Sequence, residues 1–354
     1  MAAKRRPTMA DVAARASVSL STVSLAYSGA GPISPEMKAR VEKAAADLGY
    51  AGPSAQARAL RSGRSHVVGV LIHDSFTLAF RAPHVLNVMD GLISALGDMG
   101  LGALLIPTPR DADDDRSLLA TAPMDAAVLL RVRDHDDPAI ELLNKRSLPF
   151  VVMDAEAPAG AGQVSIDDTT ATVQLIEHLR ELGHERIGTI TLPHAPGGAT
   201  GLRPRDYMPK SAWSPMHHRL EAFRVAGVEP CVVVEARESM LAEGIAAGHL
   251  ALGHESQPTA LVAQSDALAA GAVVAARELG LSVPHDVSIT GFDGIDLPWL
   301  APLELTTVVQ DGVAKGAALA SEVGELLRGE TPSQISMPLE VRVGSSTAPV
   351  RAND

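Results

Sequence analysis

The stretch TMADVAARASVSLSTVSLAYSG, residues 8–29, decides how the chain begins. Thr8 followed by Asp11 has capping-box spacing, so a helix is expected to start there and run to about Arg15. It would bury Val12, Ala13 and Ala16 on one side, small residues that let a second helix approach closely. Ser17-Val18-Ser19 breaks the pattern, with Ser19 placed as a new N-cap and Val18 pointing back to the core. A second helix is expected from Leu20 to about Tyr27. Ile33-Ser34-Pro35-Glu36 repeats the start signal more strongly, with Ser as N-cap, Pro at the first helical position and Glu in the first turn. Val41, Ala44, Ala45 and Leu48 recur at helical spacing behind it, and Gly49 ends the helix. Three short helices with a three-residue turn between the first two make a helix-turn-helix, in which the first residues of the second helix face base edges.

The charge distribution agrees with that reading. Residues 1–65 hold ten Lys and Arg against four acids, a local +6 in a chain whose formal charge is −12. Only such a basic module gains from neutralising phosphates, although a solvated basic tail would carry the same charge. The 354 residues allow a small head and a body that divides into two lobes. A single cysteine, Cys231 in the apolar run CVVVE, excludes an intramolecular disulfide and reads as a small buried hydrophobe. The N-terminus has basic residues but no apolar region behind them, and no run reaches a membrane span, so a cytoplasmic protein is expected.

The residues of the head also carry a resemblance. TMADVAARASVSLSTVS, ISPEMKARVEKAAADLGY and PSAQARALRSGRS, spanning residues 8–65, resemble the head of the lactose-repressor (LacI/GalR) family of bacterial transcription regulators. The resemblance implies DNA contacts by Thr8, Leu20, Ser21, Thr22, Ser24 and Leu25. Leu20 and Ser21 fall where the family reads bases, with Leu25 one turn further, and Thr22 and Ser24 where it touches phosphates. Core packing is the competing reading for Leu20 and Leu25. Residues 53–66 resemble the family's hinge, which becomes helical on operator DNA and enters the minor groove; Arg58 is implied as a DNA contact and Leu60 as the wedge between base pairs. A flexible linker is the alternative.

From residue 67 short apolar strands alternate with amphipathic helices, the pattern of α/β lobes with parallel sheets. VVGVLI, ALLIP, DAAVLL and PFVVMD read as strands of a first lobe, and RIGTITL, CVVVE, TALVAQ and VSITGFD as strands of a second. Leu86, Met89, Ile93 and Leu96, at helical spacing, read as core. Here the resemblance implies a type I periplasmic-binding-protein-like body of two doubly wound lobes. The expected organisation is a helix-turn-helix domain over 1–52, a hinge over 53–66 and an effector-binding and dimerisation domain over 67–354. Its lobes are expected to comprise 67–165 with 296–332, and 166–295 with 333–354.

Open parallel sheets bind ligands beyond the carboxyl ends of their strands. Asp74, Asp154, Asp266 and Asp293 follow such ends, and carboxylates there suit neighbouring sugar hydroxyls. The resemblance implies effector contacts by Arg219, Asp266 and Asp154, with Asp293 divided between ligand and structure and Asp266 between ligand and helix cap. Aromatic residues are only 3 % of the chain, so Phe76 and Phe80, after the first strand, are expected to stack on a ligand. Trp299 is divided between cleft and packing. The Gly/Pro-rich insertion 193–215 is expected to form a flap. His217-His218, adjacent on a helix, make a poor metal pair. No phosphate loop, nucleophile elbow or cofactor fingerprint is present, so no cofactor, metal or catalytic residue is expected.

The resulting expectation is a homodimeric regulator, a repressor, that binds a pseudo-palindromic operator and responds to a small-molecule effector, a sugar or sugar derivative. The rivals are a cytoplasmic α/β enzyme or a solute-binding module that carries a regulatory head. The tail STAPVRAND has no apolar heptads, so a dimer rather than a coiled-coil tetramer is expected.

Overall fold

The computed structural model describes residues 7–28, 31–52, 63–72, 80–107, 116–132, 137–194, 197–209 and 214–351. The chain divides into two units, Met1–His66 and Val67–Asp354.

In the first unit α1 (Met9–Ala16), α2 (Leu20–Ser28) and α3 (Pro35–Leu48) pack through one fully buried valine each: Val12, Val23 and Val41. Ala13, Ala16, Ala44 and Ala45 fill the remainder, which explains how such small residues form a core: the helices lie close together. Thr8 and Asp11 make the expected capping box. Ser19 Oγ accepts from Thr22 N at 3.1 Å, and Ser34 Oγ from Met37 N at 3.2 Å. The turn after α1 passes through Ser17 in the left-handed region (φ 51°). Arg40 on α3 closes that turn, its guanidinium donating to the carbonyls of Ala16 (2.9 Å) and Ser17 (3.0 Å).

In the second unit, β1 (Val67–Ile72), β2 (Gly102–Pro107), β3 (Ala126–Leu129), β4 (Phe150–Met153), β5 (Gly162–Ser165) and β12 (Gln334–Ser336) form a parallel sheet in the order β12-β5-β4-β3-β1-β2. The other sheet runs β13-β11-β10-β9-β6-β8-β7. Its parallel centre is β11 (Thr306–Val309), β10 (Ser288–Asp293), β9 (Ala260–Ala263), β6 (Ile187–Thr191) and β8 (Val233–Glu235). Antiparallel strands β13 (Glu340–Arg342) and β7 (Gly201–Arg203) flank it. Fully buried strands such as β3 (AAVL) and β9 (ALVA) are continuous apolar runs, as burial on two sides favours, whereas β6, β10 and β11 also bury Thr or Ser. Among the described residues no helix is long and apolar enough to cross a membrane.

The lobe boundaries differ from the sequence expectation. Thr306–Val309, assigned to the first lobe from sequence, pairs with β10 in the second sheet, while β12, assigned to the second, pairs with β5 in the first. The chain therefore crosses after β5, between β11 and Gly312, and after β12. The turn after GFD resembles an exit from the lobe, but Leu300 and Leu305 anchor in the second-lobe core and draw β11 alongside β10 without an intervening α-helix.

One helix pair in each lobe crosses at backbone contact. In the first lobe α4 (Pro83–Asp98) meets α11 (Gly312–Leu327), where a Cβ added at Gly316 would stand 2.1 Å from the Val88 carbonyl oxygen. In the second, α9 (Leu241–Leu252) meets α10 (Asp266–Glu278), where a Cβ at Gly271 would stand 2.4 Å from the Gly244 backbone. Met89 and Leu96 of α4 are core residues, but Leu86 and Ile93 are 40 % and 47 % exposed, contrary to the sequence reading. They lie seven residues apart on the helix and form an apolar stripe facing away from the sheet.

Within the insertion 193–215, Gly201–Arg203 form β7 at the sheet edge, and Pro193, Gly197 and Pro215 border the interlobe cleft. Glu235, 1 % exposed, holds the insertion. Its carboxylate accepts from Arg203 Nε (2.8 Å), Tyr207 OH (2.7 Å) and His194 N (3.1 Å), with His194 Nδ1 at 2.8 Å. Burial alone would raise the Glu235 pKa, but these hydrogen bonds hold it below the ordinary value; burial and the same carboxylate push the Tyr207 phenol up to about 12. Replacing Glu235 with Ala should release Arg203 and Tyr207 from the sheet edge, so limited trypsinolysis should cut after Arg205 in the variant while the wild-type chain resists there; the bond after Arg203 precedes Pro204 and is not a trypsin site.

Candidate functional site

The two sheets direct their carboxyl ends at a shared cleft, a cavity of about 310 Å³. The geometry follows from strand alternation. Where Ile72, Leu130, Met153 and Leu192 leave their strands they form apolar walls, while Asp154, Gln264, Asp293 and Gln310 bring polar groups to other strand ends.

Three of these polar groups, Asp154, Gln310 and Asp293, are joined into a chain through Lys315. Asp154, at the end of β4 with φ 50°, accepts from Lys315 Nζ at 3.0 and 2.9 Å. Lys315, on α11 and fully buried, also donates to Gln310 Oε1 at 2.7 Å. Gln310 Nε2 in turn donates to Asp293 Oδ1 at 2.7 Å. Asp293 ends β10 at φ 118°, a region that side chains other than glycine rarely occupy. One strained aspartate from each lobe thus faces the cleft, and a buried ammonium with an amide links them.

Arg219, on α8 (Ser214–Val225) and 4 % exposed, borders the cavity from the second lobe. Its Nε donates to Asp168 Oδ1 at 2.7 Å, its Nη1 to the Gln264 carbonyl, and its guanidinium stacks 3.4 Å over the Phe292 ring. Burial raises the Asp168 pKa against the opposing pull of Arg219. The site thereby presents a guanidinium oriented by three neighbours, as polar recognition of a small ligand requires.

Of the residues expected to touch an effector, Asp154, Arg219 and Asp293 line this cavity. Asp266 does not: with 0 % exposure, its carboxylate accepts from Ile295 N (2.9 Å) and Thr307 Oγ1 (2.6 Å), fastening the loop after β10 to β11. It is not the helix cap either, because Ser265 caps α10 through Leu268 N. Phe80 is 48 % exposed and Trp299 50 % exposed, and neither lines the cavity. Phe76 and Asp74 lie outside the described residues, as do Arg58 and Leu60. Sequence reasoning missed His84, Gln310 and Lys315. The signal for Lys315 was present: Lys315 and Glu322 fall on the same helix face as Leu319 and Val323, and all four are fully buried.

In the head, Leu20 is 54 % exposed at the start of α2, which removes the core-packing reading for it, whereas Leu25 is half-buried. Ser19 Oγ lies 2.7 Å from Ser21 Oγ and 2.8 Å from Thr22 Oγ1, so three hydroxyls gather at the amino end of this helix. Thr8, exposed, is engaged in the capping box. Hydroxyls and free N–H groups at a helix amino terminus suit phosphate oxygens and base edges.

Residues 8–52 match the family described as bacterial regulatory proteins, lacI family, and residues 176–347 match a periplasmic binding protein-like domain. An HTH-type transcriptional regulator of Mycolicibacterium smegmatis is 34 % identical over 332 residues, 88 % of each chain. The chain belongs to the lacI family of bacterial regulatory proteins. Among solved structures this LacI-family regulator resembles a lac repressor dimer bound to operator and the anti-inducer ONPF, at TM-score 0.79 and 22 % identity over 97 % of this chain and 100 % of that one. It also resembles a transcriptional regulator CelR–cellobiose complex, at TM-score 0.67 and 24 % identity over 96 % and 100 %. Both share its fold, a helix-turn-helix head and a two-lobed α/β body.

Burial pushes the Asp293 carboxyl up to about 7, against Arg219, with Asp266 adding to the rise. The proton held there stabilises the fold fully below the unfolded carboxylate value of about 3.9, and that contribution is lost as pH rises to about 7. Asp293→Asn keeps an acceptor for Gln310 and removes the titration. Its thermal stability relative to wild type should therefore climb between about pH 4 and 7, by roughly 2–4 kcal/mol, and stay level above that.

Proposed function

We propose that the protein is a cytoplasmic transcriptional repressor that binds a pseudo-palindromic operator as a homodimer and releases or tightens on it when a sugar occupies the interlobe cleft. The observation that carries the reading is the pairing, in one chain, of a helix-turn-helix head with a cleft in which Asp154, Asp293 and the stacked Arg219 converge. Carboxylates and a guanidinium around apolar walls suit a polyhydroxylated ring, with the hydroxyls on the charged groups and the C–H faces on Met153, Leu130 and Leu192. The relatives support it: one solved neighbour holds cellobiose, and another is a repressor dimer on its operator.

On DNA, Leu20 packs on a thymine methyl and Ser21 meets base edges, while Thr22 and Ser24 take phosphates. Thr8 and Leu25 lie at the margin of this surface. Arg58 and Leu60, in the segment linking head to body, enter the minor groove. The dimer uses the exposed Leu86 and Ile93 stripe of α4. The effector acts by binding the two lobe arrangements unequally, and a coupling of roughly 1–3 kcal/mol changes operator affinity about 5- to 150-fold. We assign the cleft no catalytic role: Asp154 neutralises Lys315 and Asp293 accepts from Gln310, which leaves each carboxylate its remaining lone pairs for hydrogen-bonding a ligand.

A footprint on the protein's own upstream DNA, titrated with a sugar panel, tests the reading. Ser21→Ala should weaken operator binding by about tenfold. Arg219→Lys should retain binding and lose the sugar response, whereas an enzyme would lose turnover instead. Absence of any protected fragment at low salt would overturn the assignment. Separately, Ile93→Asp should shift the protein from dimer to monomer in sedimentation and lower operator affinity with it.

A further inference from the structure

Among the described residues, a buried nitrogen of a residue bordering the cleft has no hydrogen-bond partner. His84 is the second residue of α4, whose first turn borders the cavity together with Ala82, Pro83 and Val85. The residue as a whole is half-buried, but its Nε2 is sealed from solvent and, among the described residues, nothing donates to it or accepts from it. Two other buried side-chain atoms share that condition, Thr191 Oγ1 and Thr290 Oγ1, but they sit within β6 and β10 and do not line the cavity. Two other histidines of the second lobe are answered. The His184 ring nitrogens meet Thr259 Oγ1, Ser288 Oγ and the Ala348 carbonyl at 3.0–3.1 Å, and His194 Nδ1 meets Glu235. Leaving such a nitrogen unpaired opposes folding, so its place is explained by what it does for a ligand.

We propose that His84 is an effector-contacting residue of the first lobe, whose ring turns toward the cavity on effector entry so that Nε2 hydrogen-bonds a hydroxyl of a neutral, polyhydroxylated effector spanning from it to Arg219 and Asp293 of the second lobe. This rests on the reading of the cleft as the effector site and adds the side chain that reads the ligand from the opposite wall. Burial, reinforced by Lys315 and Arg219, pushes the imidazole pKa well below its ordinary value, so the ring carries one N–H and one lone pair. A hydroxyl both donates and accepts and can meet either tautomer at Nε2. A carboxylate or phosphate only accepts, so it suits only the tautomer that carries the proton on Nε2. A ligand held by both walls favours the arrangement in which they stand closest, which is the unequal binding that an effector needs.

The test uses the full-length protein with His84→Leu, which removes both ring nitrogens, and His84→Gln, whose amide reaches the Nε2 position. Thermal melting without ligand comes first: His84→Leu should melt at or above the wild-type temperature, because no hydrogen bond of Nε2 is lost. Cellobiose, ribose and further neutral mono- and disaccharides are then titrated by calorimetry. The sugar that binds wild type should bind His84→Leu at least about tenfold more weakly, with part of the affinity recovered in His84→Gln. Melting several degrees lower without sugar would make the ring structural and overturn the proposal, as would unchanged sugar affinity in His84→Leu; either result leaves the cleft reading standing. A wild-type response confined to sugar acids or sugar phosphates overturns the neutral-hydroxyl assignment alone. No response to any of these compounds overturns the sugar reading itself, and His84's role with it.

Discussion

The buried ammonium of Lys315 is the constraint around which the cleft is organised. A lysine without access to water loses several kcal/mol of hydration, and only well-placed acceptors offset that. Its three donors meet both oxygens of Asp154 and the Gln310 side-chain oxygen. Because an ammonium only donates, Gln310 must turn its oxygen toward Lys315 and its amide nitrogen toward Asp293. The orientation of one amide thus follows from one charge, and through it the carboxylate of the second lobe is tied to that of the first. The same requirement accounts for the left-handed backbone at Asp154, which delivers its carboxylate to the ammonium.

The packed helix pairs determine how such a link acts. Where α4 meets α11 and α9 meets α10 the backbones touch, leaving little room for either pair to slide. Lys315 is anchored in the first of these pairs and Asp293 belongs to the sheet beside the second. A rearrangement at the cleft is therefore taken up where the chain crosses between lobes, at residues such as Gln310, rather than within a lobe.

Much of the architecture was legible in sequence because it rests on local chemistry. The capping box at Thr8, Pro35 behind Ser34 and the unbroken apolar strands each report their own conformation. What sequence could not carry was identity at a distance. Asp266 and Asp293 both follow apolar strands, yet one is walled in by Thr307 and Ile295 N while the other faces the cavity. Leu86 and Ile93 have the periodicity of core residues because an apolar stripe has the same spacing whether a sheet or a partner covers it. The crossing after β11 was misplaced because a parallel strand joined without a helix gives no change of period. His84 and Lys315 are separated by more than 200 residues from each other, and nothing near either one in sequence names its neighbours.

The short strand β7 bears on how copies of this chain can associate. Three residues long, antiparallel to its neighbour and ending in Arg203, it gives the margin of the second sheet little unpaired backbone for an incoming strand to copy. Ribbon-to-ribbon growth into open-ended polymers is thereby discouraged on that side.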